Sequence, residues 1–364
     1  MEEKIICSCC GAIINTDDYE ELDEQIVCSD CMEQHTTTCD CCGTRIWTEE
    51  SQGDDYTTLC NHCYQSRYTH CYNCDALIHV DDAYCLNSEN YCHECYDEEC
   101  EHCENIHEYG YKPEPIFYGD SKRYFGIELE IDGAGKNDDY AEEILDIANN
   151  SDLCTYIKSD GSLNDGMEIV SHPMTLDFHK SYCWSNIMKK AVSLGFRSHQ
   201  TSTCGLHIHV NRNSLAENRD EQEEVISRIL YFVEHHWNEL LKFSRRSEYA
   251  MNRWTARYGY EHTPKAIMDK AKKGGNGRYA AVNLCNYHTI EFRMFRGTLK
   301  YNTFIAAIQL VNRICDIAIC NTDESIAKIS WSDFVSEITE HELIQYLKER
   351  NLYINDKVEE TEEF

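Results

Sequence analysis

Polar and apolar residues alternate strictly in several stretches of the C-terminal two thirds of the chain. In Tyr124–Ile131, Ile127, Leu129 and Ile131 fall on one face while Glu128 and Glu130 share the other, the period of a half-buried strand. The same pattern predicts strands over 167–171, 205–211 and 288–296. Elsewhere the period is 3.6. In 220–243, Val225, Ile226, Ile229, Leu230, Val233, Trp237, Leu240 and Leu241 lie on one helical face. Helices are also predicted over 138–149, 176–194, 264–273, 302–319 and 340–350. Helices follow strands at irregular intervals, without a βαβ cadence, so the expected fold class is α+β, an antiparallel sheet packed by helices.

Neither period persists before about residue 110. There the cysteines recur every 32 residues as three copies of C-x2-C-x17-C-x2-C: Cys7, Cys10, Cys28 and Cys31; Cys39, Cys42, Cys60 and Cys63; Cys71, Cys74, Cys92 and Cys95. Two thiolates on one tight turn reach the same zinc, and a second such turn completes the tetrahedron. Units this small bury too little apolar surface to fold without the metal. Four protein ligands leave no open position, so three structural zinc sites are expected. Cys100 and Cys103 form a further pair that, with His102 or His107, would hold a fourth. The half-site spacing resembles that of LIM-type modules, which implies a protein partner. Lys112-Pro113-Glu114-Pro115 then marks a linker. The expected organisation is a zinc array over 1–108, a linker over 109–122, a catalytic domain over 123–325 and a helical extension over 326–364.

Charge narrows the partners. Residues 1–112 carry 4 Lys/Arg against 26 Asp/Glu, a balance of −22, and the remainder 29 against 39, a balance of −10. Nucleic-acid affinity rests on basic residues neutralising phosphates, so no nucleic acid is expected on the array. An odd total of 23 cysteines, 14 of them in seven CxxC pairs, argues for metal and against a disulfide framework. The opening Met1-Glu2-Glu3-Lys4 lacks the features of a secretion signal, and no membrane span is expected. The expectation is a cytoplasmic protein.

The polar faces of the predicted strands carry the chemistry. Glu128 and Glu130 are joined by His207 and His209 on Cys204–Val210, by Glu291 and Arg293 on Thr289–Arg296, and by Glu168 at the start of its strand. Exposed strand faces usually mix Thr, Lys, Gln and Ser, whereas these positions are carboxylate, imidazole and guanidinium. Carboxylates with imidazole suit hard divalent cations, and arginines beside them suit a phosphate or carboxylate. Asp160 sits in a turn before the Glu168 strand. Lys265–Arg278, with Gly274, Gly275 and Gly277, is a candidate phosphate cover.

The ordered segments FGIELEI, DGS…MEIVSHP, CGLHIHV and RYAAVNL…TIEFRMFRGT resemble the amidoligase family, within the wider glutamine synthetase and glutamate–cysteine ligase superfamily, over roughly 123–315. The resemblance implies a glutamine synthetase-like fold with ATP and two Mg2+ as cofactors. It implies an enzyme joining a carboxylate to an amine through an acyl phosphate. It also implies Glu128, Glu130, Glu168 and Glu291 as magnesium ligands, His207, His209 and Arg278 as nucleotide contacts, and Arg293, Arg296 and Asp160 as catalytic groups. A peptide or protein substrate brought by the zinc modules follows from the architecture. Two other readings compete: a binding adaptor whose ligase-like domain is inactive, and a metal-dependent hydrolase built on His207 and His209.

Overall fold

Each 32-residue unit of the N-terminal part folds into the same small structure. The computed structural model describes residues 5–14, 19–86, 89–99, 105–247, 251, 255–273 and 277–353. In the first unit a hairpin of Ile5–Ile6 with Ile13–Ile14 carries the first cysteine pair, a second hairpin of Tyr19–Leu22 with Gln25–Cys28 leads to the second, and Ser29–His35 closes the unit as a helix. Thr36–Thr38, Arg45–Trp47 and Asn61–Arg67 repeat this, as do Tyr68–His70, Leu77–His79 and His93–Glu99. The turn after each first pair places Gly11, Gly43 and Asp75 at φ 75°, 74° and 60°. This left-handed region favours glycine and, next, Asp or Asn. Cys100, His102 and Cys103, the candidates for a fourth zinc, lie outside the described residues.

The chain divides into two units between residues 102 and 103. In the second, seven strands form one sheet: β1 Ile106–His107, β2 Phe125–Asp132, β3 Thr155–Lys158, β4 Gly166–Ser171, β5 Gly205–Asn211, β6 Val282–Asn283 and β7 Thr289–Arg296, in the order β1-β3-β4-β2-β5-β7-β6. All neighbours are antiparallel except β1 and β3, so the sheet is mixed rather than antiparallel throughout. The residues that add the parallel edge, 106–107, were expected in the array.

One face of the sheet is apolar and covered by helices. Ile127, Leu129 and Ile131 of β2 pack in one core with Ile208, Phe292, Ile144, Trp184, Ile187, Ile229, Phe304 and Ile308. The central helix, Tyr301–Cys320, is the one described helix long and apolar enough to cross a membrane, and 72% of its apolar window is buried inside the fold. Two predicted helices are each broken in two. Residues 176–194 divide into Leu176–Ser181 and Trp184–Ser193, because Tyr182 leaves helical geometry and its hydroxyl reaches Ala148 O and Thr155 Oγ1. Residues 220–243 divide at His236, whose Nε2 bonds Ile329 O. Beyond residue 325, Trp331–Ser336 and His341–Glu349 contribute Phe334, Val335, Leu343 and Leu347 to the same core.

Candidate active site and metal centres

Zinc–thiolate bonds of about 2.3 Å in a tetrahedron put neighbouring sulfurs about 3.8 Å apart. The Sγ atoms of Cys10 and Cys28, Cys42 and Cys60, and Cys74 and Cys92 lie 3.8, 3.8 and 3.7 Å apart. All four sulfurs of each predicted set are gathered within 4.8 Å of one another. Backbone amides turn towards the thiolates, as Cys10 N and Cys28 N do to Cys7 Sγ at 3.5 and 3.4 Å, which stabilises their negative charge. Cys9, Cys31 and His35 also approach one another, but Cys31 already belongs to the first tetrad.

The opposite face of the large sheet is lined with charge. Register pairs Glu130 with Glu168, Glu128 with His207, and His209 with Glu291 across adjacent strands. Period-two alternation therefore aims all six side chains to one side. His207 Nδ1 lies 3.0 Å from Glu128 Oε2 and 3.6 Å from Glu291 Oε1, and its Nε2 lies 3.7 Å from Glu130 Oε1. His209 Nε2 is 3.4 Å from Glu128 Oε1, and Arg293 Nη1 pairs with Glu291 Oε1. Glu130 accepts the amide hydrogen of Gly205.

Burial and crowding pull these carboxylates apart in acidity. Burial, reinforced by neighbouring Glu128 and Glu130, pushes Glu168 well above the usual carboxylate range despite Lys158 beside it. Burial also raises Glu130. For Glu128 burial acts upward, but Lys158 and His209 outweigh it and hold the group well below its ordinary value. Glu291 is lowered against its burial by His209 and Arg293. A divalent cation would relieve this crowding, and the donor set suits one. Oxygens of Glu128 and Glu168 and a nitrogen of His207 lie within 4.8 Å of one another, and buried His209 Nε2 has no hydrogen-bond partner.

Two of these residues, Glu130 and His207, reach a cavity of about 1010 Å³. Glu130, His207, Asp160, Arg278, Arg293 and Arg296 all line it. Arg278 Nη1 donates to Tyr109 Oη at 2.7 Å, and Arg296 Nη2 to Thr201 O at 3.2 Å. Two of the four lysines of the expected phosphate cover are paired. Pro264–Lys273 is a helix on which Lys270 pairs with Glu261 and Lys272 with Glu223. Gly274 and Gly275 lie outside the described residues.

Three site residues escaped the sequence reading. Asp132 continues the polar face of β2 one step further and accepts from Gly133 N, Asn164 N, Asp165 N and Thr203 Oγ1, tying the turn after Asp160 to the start of β5. Its alternation with Glu128 and Glu130 was the available signal. Lys158 ends the short strand β3, with Nζ 3.3 Å from Glu168 and 3.6 Å from Glu128. Arg246 lines the cavity, gives Nε and Nη2 to Phe295 O, and is pushed down to about 10 by burial and by Arg293 and Arg296. No local motif marks it.

The family described as "putative amidoligase enzyme" matches residues 134–315, half of the chain. The chain belongs to the amidoligase family. The amidoligase match contains Asp160, Glu168, His207, His209, Arg278, Glu291, Arg293 and Arg296, while Glu128 and Glu130 precede it. Among solved structures this amidoligase is similar to a bifunctional glutathione synthetase from Pasteurella multocida, at 12% identity and a TM-score of 0.34, over 63% of this chain and 46% of that one. The chain thus spans less than half of that protein's length, and a likeness at this level carries no argument about fold or chemistry. No curated protein matches it.

Proposed function

We propose that the second unit is a glutamine synthetase-like ligase that activates a carboxylate with ATP and transfers the acyl group to an amine. One observation carries this reading: four carboxylates and two imidazoles converge on one sheet face, and two of them, Glu130 and His207, line a cavity also lined by Arg246, Arg278, Arg293 and Arg296. A carboxylate resists amines at neutral pH until one oxygen becomes a good leaving group. Transfer of the γ-phosphoryl to that oxygen releases ADP and leaves an acyl phosphate. The amine attacks the carbonyl carbon, the C–O bond to phosphate breaks, and the amine gives up a proton. Glu128, Glu130, Glu168, Glu291 and His207 would hold magnesium, which neutralises charge on the transferring group. Arg293 and Arg296 stand where guanidinium groups can bind the phosphoryl or carboxylate oxygens. Asp160 and Arg278 face the same cavity from the far turn and the helical segment. The zinc array, in this reading, holds a peptide or protein that supplies one of the two reactants.

Hydroxylamine tests the proposal. With magnesium, ATP and a competent carboxylate it should trap the acyl phosphate as a hydroxamate, one for each ADP released. Candidate carboxylates are glutamate, aspartate, peptides and protein C-termini. Arg293→Ala should lose hydroxamate formation more severely than nucleotide binding, since its charge matters most as the phosphoryl group moves. Metal-dependent amide cleavage without ATP would overturn the reading in favour of the hydrolase.

A further inference from the structure

We propose that Lys158 is a built-in cation of the metal site, filling the position between Glu128 and Glu168 so that the protein alone holds one divalent ion rather than two. The inference rests on the metal-site reading above and narrows it: Glu168 answers Lys158 rather than a metal, and Glu128 keeps only Oε2, beside His207, for the ion.

Lys158 is not a surface lysine folded inward. Register sets it directly across from Glu168, its side chain is 8% exposed, and Nζ lies between Glu168 Oε2 and Glu128 Oε1 at 3.3 and 3.6 Å. The Tyr109 ring caps it, with its centroid 5.7 Å from Nζ. Burying an ammonium costs several kcal/mol unless it is paired, so a lysine held this way is answering specific negative charge. Among the described residues, Glu168 has no other ion-pair partner.

Geometry gives the stoichiometry, because carboxylate oxygens bind divalent ions at about 2.0–2.6 Å and cannot close around a metal and an ammonium in the same gap. The donors that Lys158 leaves open are Glu128 Oε2 and those of Glu130, His207, His209 and Glu291. Any second ion would then have to arrive with phosphate oxygens from the nucleotide.

Mn2+ is a suitable probe, since it prefers oxygen and imidazole donors and leaves zinc thiolates alone. Zinc-loaded full-length protein would be titrated with Mn2+ without nucleotide, and free ion counted by electron paramagnetic resonance. One Mn2+ per chain is expected for the wild type, and two for Lys158→Met and for Lys158→Gln, with tryptophan fluorescence confirming that each variant is folded. Two ions on the wild type, or one on both folded variants, would overturn the proposal. A wild-type count of two overturns the proposal even if neither variant folds. A wild type that binds no Mn2+ would overturn the metal-site reading itself, a result distinct from a count of two.

Discussion

Asp132→Asn isolates a carboxylate that touches no reactant yet fixes the architecture around the cavity. Oδ1 accepts from Gly133 N at 2.9 Å and Asp165 N at 2.7 Å, while Oδ2 accepts from Asn164 N at 3.2 Å and Thr203 Oγ1 at 2.7 Å. Asparagine keeps the first two bonds. Its amide nitrogen can meet the Thr203 hydroxyl, which is able to rotate and accept, but it faces the Asn164 N–H donor to donor. One charge-assisted bond is lost and one part-buried donor is left opposed, at about 1–3 kcal/mol for each such defect. A net loss of about 2–3 kcal/mol would lower the melting temperature of a unit this size by roughly 5–10 °C. Four of the five tryptophans, Trp184, Trp237, Trp254 and Trp331, belong to the second unit, so intrinsic fluorescence follows its unfolding with little signal from the array. Activity should fall further than stability, because the turn carrying Asp160 and the start of β5 lose a shared anchor. A variant within about 0.5 kcal/mol of wild type would refute the assignment of Asp132 as that anchor.

Elemental analysis should find three tightly held zincs from the described tetrads, and chelation should unfold the array while leaving the tryptophan-monitored unit folded; fewer than two zincs contradicts the repeat reading. Gly205→Ala places a methyl group 2.6 Å from Arg246 Nη2 and 2.9 Å from His207 Nε2. Melting and turnover measured together should show a cost of about 1–2 kcal/mol but a loss of 100-fold or more in ligase rate; near-normal turnover would mean these groups are not at the reacting centre. Acid should weaken the second unit in a defined window. Burial lowers His179 from 6.5 to about 4, and burial with neighbouring His235 lowers His236 to about 4. The unfolded chain therefore binds these protons first. Their contribution is intact above pH 6.5 and fades as pH falls towards 4, by roughly 3 kcal/mol per histidine. Urea midpoints that stay flat from pH 7 to 4.5 would contradict it, and His236→Gln should flatten part of the slope.

Local pattern made the four longer strands and most helices legible because one face of each packs into the core. It also exposed Glu128, Glu130, Glu168, His207, His209 and Glu291, since alternation puts rare residue types in register. The misses share a cause, which is that the deciding contact is distant in sequence. Tyr182 breaks its helix to reach Ala148 and Thr155, and His236 breaks its helix to reach Ile329. Lys158 belongs to a strand of four residues, too short to declare a period, and Arg246 acquires its place only when Phe295 passes beside it. On the lysine-rich helix, Glu223 and Glu261 pair with two of the lysines, partners that the local charge pattern did not show.

The helix of one zinc unit runs into the first strand of the next with no spacer: Ser29–His35 is followed directly by Thr36–Thr38, and Asn61–Arg67 by Tyr68–His70. Such a chain has a quantised length. Inserting or deleting a single residue at a junction shifts the following strand by half a pleat and turns its cysteine pair to the wrong side. Removing residues 39–70 as a block does neither, since Thr38 then meets Cys71 as His70 does now, and Thr36–Thr38 can take up Leu77–His79 in place of Arg45–Trp47. The array can therefore be shortened or extended in steps of 32 residues and in no smaller step, which makes its reach adjustable without redesigning any metal site.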